Sequence, residues 1–256
     1  MADNTRRFST RVDNYVKYRP SYPAEIVALL AAECGLSASA QIADIGSGTG
    51  ILSELWLRNG NPVYGIEPNR AMREAGEQLL ALYPSFTSVD GSAEGTTLPD
   101  ASVDFVTAGQ AFHWFDQAKA RAEWNRILRP AGWVVLIWNL RREDTAFLRD
   151  YETVLQTYGT DYSQVSHRSS AMPEQRQAEM SAFFAPGGFT LYTLPNQQLF
   201  DLAGLNGRVF SSSYTPEPDH PSYAPLQNAL RQLFERHQSN GQVAFKYQTE
   251  VYFGKR

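Results

Sequence analysis

The sequence predicts an α/β fold, in which helices cover both faces of a mostly parallel sheet. Three observations carry that prediction. Residues 41–45 form a short apolar run that feeds into the turn Gly46-Ser47-Gly48-Thr49-Gly50, and a helical pattern (Ile51, Leu52, Leu55, Trp56) follows at once. Strand and helix patterns then keep alternating, five units in all, as far as residue 138. Near the C-terminus, Val243, Phe245, Tyr247, Thr249, Val251 and Phe253 recur at every second position, the period of a strand.

Taken in order, residues 1–11 are polar and mixed in charge. An N-terminal helical segment is expected over 8–34, interrupted at Pro20, because the residue before a proline avoids the α region. Pro23 suits the first turn of a helix over 24–34 with Ile26, Leu29 and Leu30 on its apolar face, and Gly35 ends it. After the helix that starts at Ile51, Asn59-Gly60 closes the first crossover. Residues 62–66 read as strand 2 and lead into Glu67. Asn69 caps a helix that places Met72, Ala75, Leu79 and Leu80 on one face. Strand 3 is expected at 86–89, followed by the loop Asp90-Gly91-Ser92-Ala93-Glu94, with strand 4 at 103–108. Asp116 caps a helix ending at Leu128, closed by Pro130-Ala131-Gly132. Residues 133–138 are an unbroken apolar run, as a strand buried on both faces requires.

Past residue 141 the chain becomes polar and helical, with a stripe of Phe147, Tyr151, Leu155 and Tyr158. A strand is expected at 189–194 and a helical stretch at 199–213. Tyr223, Leu226, Leu230, Leu233, Phe234 and His237 form a helical stripe, and Ser239-Asn240-Gly241 is a turn before the last strand. Without internal repeats or a low-complexity linker, residues 1–256 read as one domain, with segments 141–185 and 199–222 as a cap over the site.

Composition narrows the partners. Hydrophobic residues make up 43% and charged residues 20%, the balance of a globular chain. The net charge is −4 with no Lys/Arg block, which argues against nucleic acid and against an anionic membrane surface. Cys34 is the single cysteine, which rules out an intrachain disulfide and fits a reducing compartment. The N-terminus lacks the pattern of a signal peptide and no run approaches a membrane span, so a cytoplasmic location is expected. His167, His220 and His237 lack metal-ligand spacing with carboxylates or Cys34, so no metal is expected. Neither a Gly-x-Ser-x-Gly elbow nor a phosphate-loop lysine is present.

The glycine turn carries the chemistry. Glycines permit unusual backbone angles and close approach to a ligand, and the helix that follows points free N–H groups into the same space. A dinucleotide site would want its third glycine at position 51, which is Ile. The run Asp44-Ile45-Gly46-Ser47-Gly48-Thr49-Gly50 instead resembles motif I of the class I S-adenosylmethionine (SAM)-dependent methyltransferases. With the acid after strand 2, the Gly-Ser-Ala-Glu loop and the terminal strand pair, the resemblance extends over most of the chain. It implies a Rossmann-like seven-stranded sheet of order 3-2-1-4-5-7-6 with strand 7 antiparallel. Tyr-x-x-Tyr-Arg-Pro (15–20), Gln-Ala-Phe-His-Trp-Phe-Asp (110–116) and Ser-Ser-Ser-Tyr (211–214) look similar to the type 11 branch that includes trans-aconitate methyltransferase-like proteins, a likeness that fixes no substrate.

Ligands of open α/β sheets bind beyond the carboxyl ends of strands where the strand order reverses, here between strands 1 and 4. Given the resemblance, Glu67 accepts the ribose hydroxyls of SAM, or is merely a solvated acid at the next helix start. Backbone carbonyls of Gly46 and Gly109 suit the methionine amino group, with Ser47, Gly48, Gly50 and Gln110 in the same turn-and-strand-end set. Asp44 either assists through the loop or only holds the turn. Arg19, with Tyr15 and Tyr18 closing the pocket, suits the methionine carboxylate, or else that segment simply packs on the sheet. Ser92, Ala93 and Pro68 suit adenine, whereas Glu94 is expected to face solvent.

Methyl transfer is an in-line displacement in which the cofactor supplies the difficult chemistry and the protein aligns the partners. Phe112 or Trp114 is placed to face the sulfonium. His113 is the candidate base for a hydroxyl or amine acceptor, with a structural histidine as the alternative. Phe112, His113, Trp114, Trp138 and Tyr214 are expected to enclose the acceptor. The resulting expectation is a SAM-dependent methyltransferase acting on a small molecule at oxygen, or at carbon or nitrogen, and releasing S-adenosylhomocysteine. Its competitors are a non-catalytic SAM-binding module and an NAD-dependent oxidoreductase.

Overall fold

The structure, a computed structural model, describes residues 17–160, 162, 173–212 and 214–256. The elements run α1 (Glu25–Cys34), β1 (Ile42–Ile45), α2 (Ile51–Arg58), β2 (Val63–Ile66), α3 (Arg70–Leu79), β3 (Phe86–Val89), β4 (Val103–Gly109), α4 (Gln117–Ile127) and β5 (Leu128–Arg141). They continue with α5 (Ala146–Tyr158), α6 (Pro173–Phe184), β6 (Thr190–Phe200), α7 (Leu202–Phe210), α8 (Tyr223–His237) and β7 (Val243–Lys255). One seven-stranded sheet has the order β3-β2-β1-β4-β5-β7-β6, and β7 is antiparallel to both neighbours. The order reverses between β1 and β4, which places a crevice at their carboxyl ends.

Local chemistry explains the boundaries. Asn69 accepts from the Met72 amide and Asp116 from the Lys119 amide, as the sequence predicts. Thr145 and Asp201 cap α5 and α7 in the same way. Each such cap stabilises its helix by about 1 kcal/mol. Two boundaries differ from expectation. Residues 130–132 do not close α4; they form an irregular entry to β5, with Ala131 at φ 63° and a register shift between Val103 and Phe105. The helix expected from Leu199 starts at Leu202, because β6 stays paired to β7 as far as Phe200 opposite Val243.

The sheet is uneven in length. β4 ends at Gly109 opposite Ile137, but β5 continues to Arg141 against β7. From Val251, level with that end, β7 runs on to Val243, about 26 Å of strand at roughly 3.3 Å per residue. This projecting arm of β5, β6 and β7 carries its own apolar cluster: Phe147, Tyr151 and Leu155 from α5, Leu205 and Val209 from α7, Leu226 and Leu230 from α8, and Phe245. The sheet proper has two further clusters. One face meets Ile26 and Leu30 of α1 and Leu52 and Trp56 of α2, and the other meets Trp124 of α4 and Phe183 and Phe184 of α6.

Candidate functional site

The crevice at the β1–β4 reversal is walled by the glycine turn. Gly46, Gly48 and Gly50 all have positive φ (66°, 57° and 87°), angles that side chains resist. Packing reinforces the requirement: a methyl on Gly50 would lie 2.5 Å from Leu80, and one on Gly46 would lie 2.8 Å from Ala111. A methyl on Gly48 would meet nothing nearer than Met72 at 3.5 Å. The amides of Gly46 and Ser47 both donate to Ile66 O, stitching the turn to the end of β2, and the Ser47 hydroxyl lies against Gly65.

Glu67 follows β2 and is buried at the foot of the turn. One carboxylate oxygen accepts from the Gly48 amide at 2.9 Å and the other from the Asn69 amide at 2.8 Å. A carboxylate oxygen has two acceptor sites, so each keeps one for a further donor. Burial raises the Glu67 carboxyl, against the two amides and Arg73, which favour the ionised form. Pro68 beside it is exposed.

Asp44, in β1, is buried. Its two oxygens accept from the Ser53 hydroxyl at 2.6 Å and the Thr107 hydroxyl at 3.2 Å, tying β1 to α2 and β4. Burial outweighs these bonds and lifts the Asp44 carboxyl to about 7. These bonds fix Asp44 at the foot of the turn, between β1, α2 and β4.

The remaining expected residues separate into groups. Gly109 closes β4, where a methyl would lie 2.3 Å from the Tyr22 hydroxyl. Gln110 takes φ 55° and ties its side-chain amide to Asn139 O at 3.0 Å. A non-glycine residue held in that region marks stored strain, and such residues cluster at functional sites. Ser92 forms a tight bridge with Gly95, and Ala93 O accepts from Trp124 Nε1. Glu94, expected in solvent, accepts from the Asp116 amide at 2.8 Å. His113 and Trp114 lie on a short 3₁₀ turn (Phe112–Trp114), with His113 exposed and its ring 4.7 Å from that of Trp114.

Phe112 and Trp138 require correction. Phe112 is fully buried among Phe115, Trp124, Trp138 and Phe183, and Trp138 packs edge-on to Phe112 and Tyr252. Both rings belong to the aromatic core under the sheet, where apolar burial holds them, and not to an acceptor wall. Tyr214 is half-buried on the arm side, 4.9 Å from the Tyr162 ring.

At the N-terminus, Tyr15 and residues 8–14 lie outside the described residues. Tyr18 packs on α7 at Gly207, where a methyl would lie 2.1 Å from its ring. Arg19 Nη2 donates to Ser211 O at 3.5 Å, at the end of α7. Asn139 and Asn196 both donate to Ser21 O, so this strap is bonded across β5 and β6. Sequence reading missed Tyr22, Asn139 and the arm residues Arg141 and Arg208. Arg208 left a signal, since it shares the apolar face of α7 with Leu205 and Val209 at helical spacing.

Among the described residues no group of three or more His, Cys, Asp or Glu could hold a metal ion, and no helix is long and apolar enough to cross a membrane. A family model described as a methyltransferase domain matches residues 43–136. An uncharacterized methyltransferase of Mycobacterium tuberculosis is 31% identical over 96% of this chain and 94% of its own length. An uncharacterized methyltransferase of Schizosaccharomyces pombe is 29% identical over 96% of both chains. Among solved structures, a protein of Anaeromyxobacter dehalogenans, provisionally described as a type II methyltransferase, superposes with TM-score 0.61 and 22% identity over 93% of this chain and 97% of that one. The YcgJ protein of Bacillus subtilis gives TM-score 0.56 and 17% identity over 90% of this chain and 97% of that one.

Proposed function

The chain belongs to the class I SAM-dependent methyltransferases, and we propose that within that family it methylates a small molecule enclosed between the glycine turn and the β5–β7 arm. Membership sets aside the NAD-dependent alternative. Bound SAM supplies a methyl group already activated on a sulfonium.

The observation that carries the site assignment is the posture of Glu67, one acceptor position of each oxygen spent on a loop amide and one left over. In our reading Glu67 holds the ribose hydroxyls, and the carbonyls of Gly46 and Gly109 take the amino group. Ser47, Gly48 and Gly50 keep the turn open to close approach, and Asp44 fixes it. Gln110 holds the end of β4, and Pro68, Ser92 and Ala93 border the adenine. Arg19 and Tyr18 close the methionine end. His113, exposed at the mouth of β4, accepts the proton that a hydroxyl or amine acceptor must lose. Trp114 and Tyr214 border the acceptor, which we assign to reaction at oxygen ahead of carbon or nitrogen. Residues 1–256 act as one domain, with segments 141–185 and 199–222 as the cap that excludes water, although Phe183 and Phe184 of α6 pack on the sheet.

Calorimetry with S-adenosylhomocysteine tests the cofactor site, and labelled SAM with a metabolite extract tests the acceptor. The expected results are micromolar binding that Glu67→Ala weakens, and a label that appears in small molecules. Labelled protein or RNA in place of metabolites would overturn the acceptor reading. Binding that Glu67→Ala leaves intact would overturn the site.

A further inference from the structure

β4 ends at Gly109 while β5 runs on, so the carbonyl of Asn139 meets the place where β4 has stopped. In a parallel ladder the next donor in register would be the amide of Phe112. That residue has already turned into the short 3₁₀ helix, and Gln110 takes its place. The Gln110 amide donates to Ile137 O at 2.9 Å, and its side-chain amide donates to Asn139 O at 3.0 Å. Both bonds are made with the Gln110 backbone at φ 55°.

The buried side chain of Asn139 ties three more elements to the same point. Its Nδ2 donates to Ser21 O of the strap at 3.2 Å. Its Oδ1 accepts from Asn196 Nδ2 of β6 at 3.1 Å and from Thr249 Oγ1 of β7 at 2.5 Å. Asn196 Nδ2 also donates to Ser21 O, at 2.8 Å. The next residue of the strap is Tyr22, whose hydroxyl lies against Gly109, 2.3 Å from the place of a methyl there. The strap therefore reaches the end of β4 twice, once through Tyr22 and once through Asn139 and Gln110.

We propose that Asn139 is a positioning residue for the cofactor site, acting through the strap and Gln110. It holds Ser21, and so seats Tyr22 against Gly109, while its carbonyl holds the strained end of β4. The proposal rests on reading the β4 end as part of the cofactor site. A strap without this tie must be ordered when ligand arrives, and that ordering opposes binding. Strap closure and cofactor binding then form one coupled equilibrium, and the coupling is reciprocal: the factor by which a seated strap tightens the ligand is the factor by which the ligand protects the strap. A tie that only braced the sheet would alter melting and strap cleavage alike with ligand present or absent.

Calorimetry with S-adenosylhomocysteine and tryptic cleavage after Lys17, with and without that ligand, test the coupling. Asn139→Leu is made together with Thr249→Val, so that no buried hydroxyl is left without its partner. In the wild type, saturating S-adenosylhomocysteine should slow cleavage after Lys17 about tenfold. The paired variant should bind the ligand roughly tenfold more weakly and be cleaved at the same fast rate with or without it. Asn196→Ala, the milder change at the sheet edge, removes the other donor to Ser21 O. It should weaken the ligand about threefold and lose protection in the same proportion. Wild-type affinity in the paired variant would overturn the proposal, as would a ligand-protection ratio that Asn196→Ala leaves unchanged, the result that decides if the paired variant does not fold. Either outcome leaves the cofactor reading standing. Wild-type protein that binds no S-adenosylhomocysteine would remove that reading and this proposal with it.

Discussion

Two carboxylates at neighbouring strand ends, Asp44 and Glu67, are both buried, and their partners divide their roles. Asp44 spends its oxygens on the hydroxyls of Ser53 and Thr107, inside the protein. Glu67 spends half its capacity on the loop. Hydrogen bonds to a charged group contribute roughly 1.5–3 kcal/mol each, so Glu67→Ala should weaken S-adenosylhomocysteine at least ~100-fold by calorimetry. Asp44 makes a different prediction. Its folded carboxyl sits at about 7, above the unfolded value of 3.8, so the native state holds the proton longer. Stability from this group is complete below pH 4 and is lost as pH rises towards 7. Urea unfolding should show that decline in the wild type, on the order of a few kcal/mol, and Asp44→Asn should flatten it. The sequence placed both acids at strand ends but not their partners, because the hydroxyls of Ser53 and Thr107 meet Asp44 only in the fold. The same limit applies to Phe112, just after β4, and to Trp138, within β5: an aromatic in either place reads alike whether it faces core or ligand.

Among the elements, the turn between β1 and α2 is the most constrained. Gly50 combines φ 87° with Leu80 2.5 Å from the place of a methyl. Gly50→Ala should cost roughly 2–3 kcal/mol in urea unfolding, from left-handed backbone strain and overpacking together. Gly207 is constrained from outside its helix, by the Tyr18 ring. Gly207→Ala should leave the sheet intact yet expel the strap, seen as faster tryptic cleavage after Lys17 and weaker S-adenosylhomocysteine binding. Unchanged cleavage would show that the strap is held by its bonds to Asn139 and Asn196 alone. Short elements with strong local signals were legible: β3 and the caps at Asn69 and Asp116 lie where the sequence put them. β6 was read as half its length. Its outer residues (Pro195, Asn196, Gln197 and Gln198) carry little strand propensity and stay extended because β7 pairs with them.

For the molecule as a whole, three apolar clusters predict two cooperative units under native conditions. The arm cluster is separate from the two that clasp the sheet, so amides of α5, α7, α8 and the outer halves of β6 and β7 should exchange together, ahead of β1, β4 and β5. Phe245→Ala should cost about 3–5 kcal/mol and speed exchange in the arm alone. Spread of the effect to β1 would show one cooperative unit. The strand order was legible through family resemblance, whereas the projecting arm was not, since strand length past β4 depends on partners distant in sequence.

β7 is common property of both units: its first half roofs the arm and its second half seals β5. Chimeras between relatives should therefore tolerate a splice near residue 142, where everything downstream travels together. Exchange of residues 199–222 alone would graft one homologue's α7 onto another's beam, and Arg208 would arrive with Tyr214 but without the Tyr151 and Tyr247 that share its surroundings.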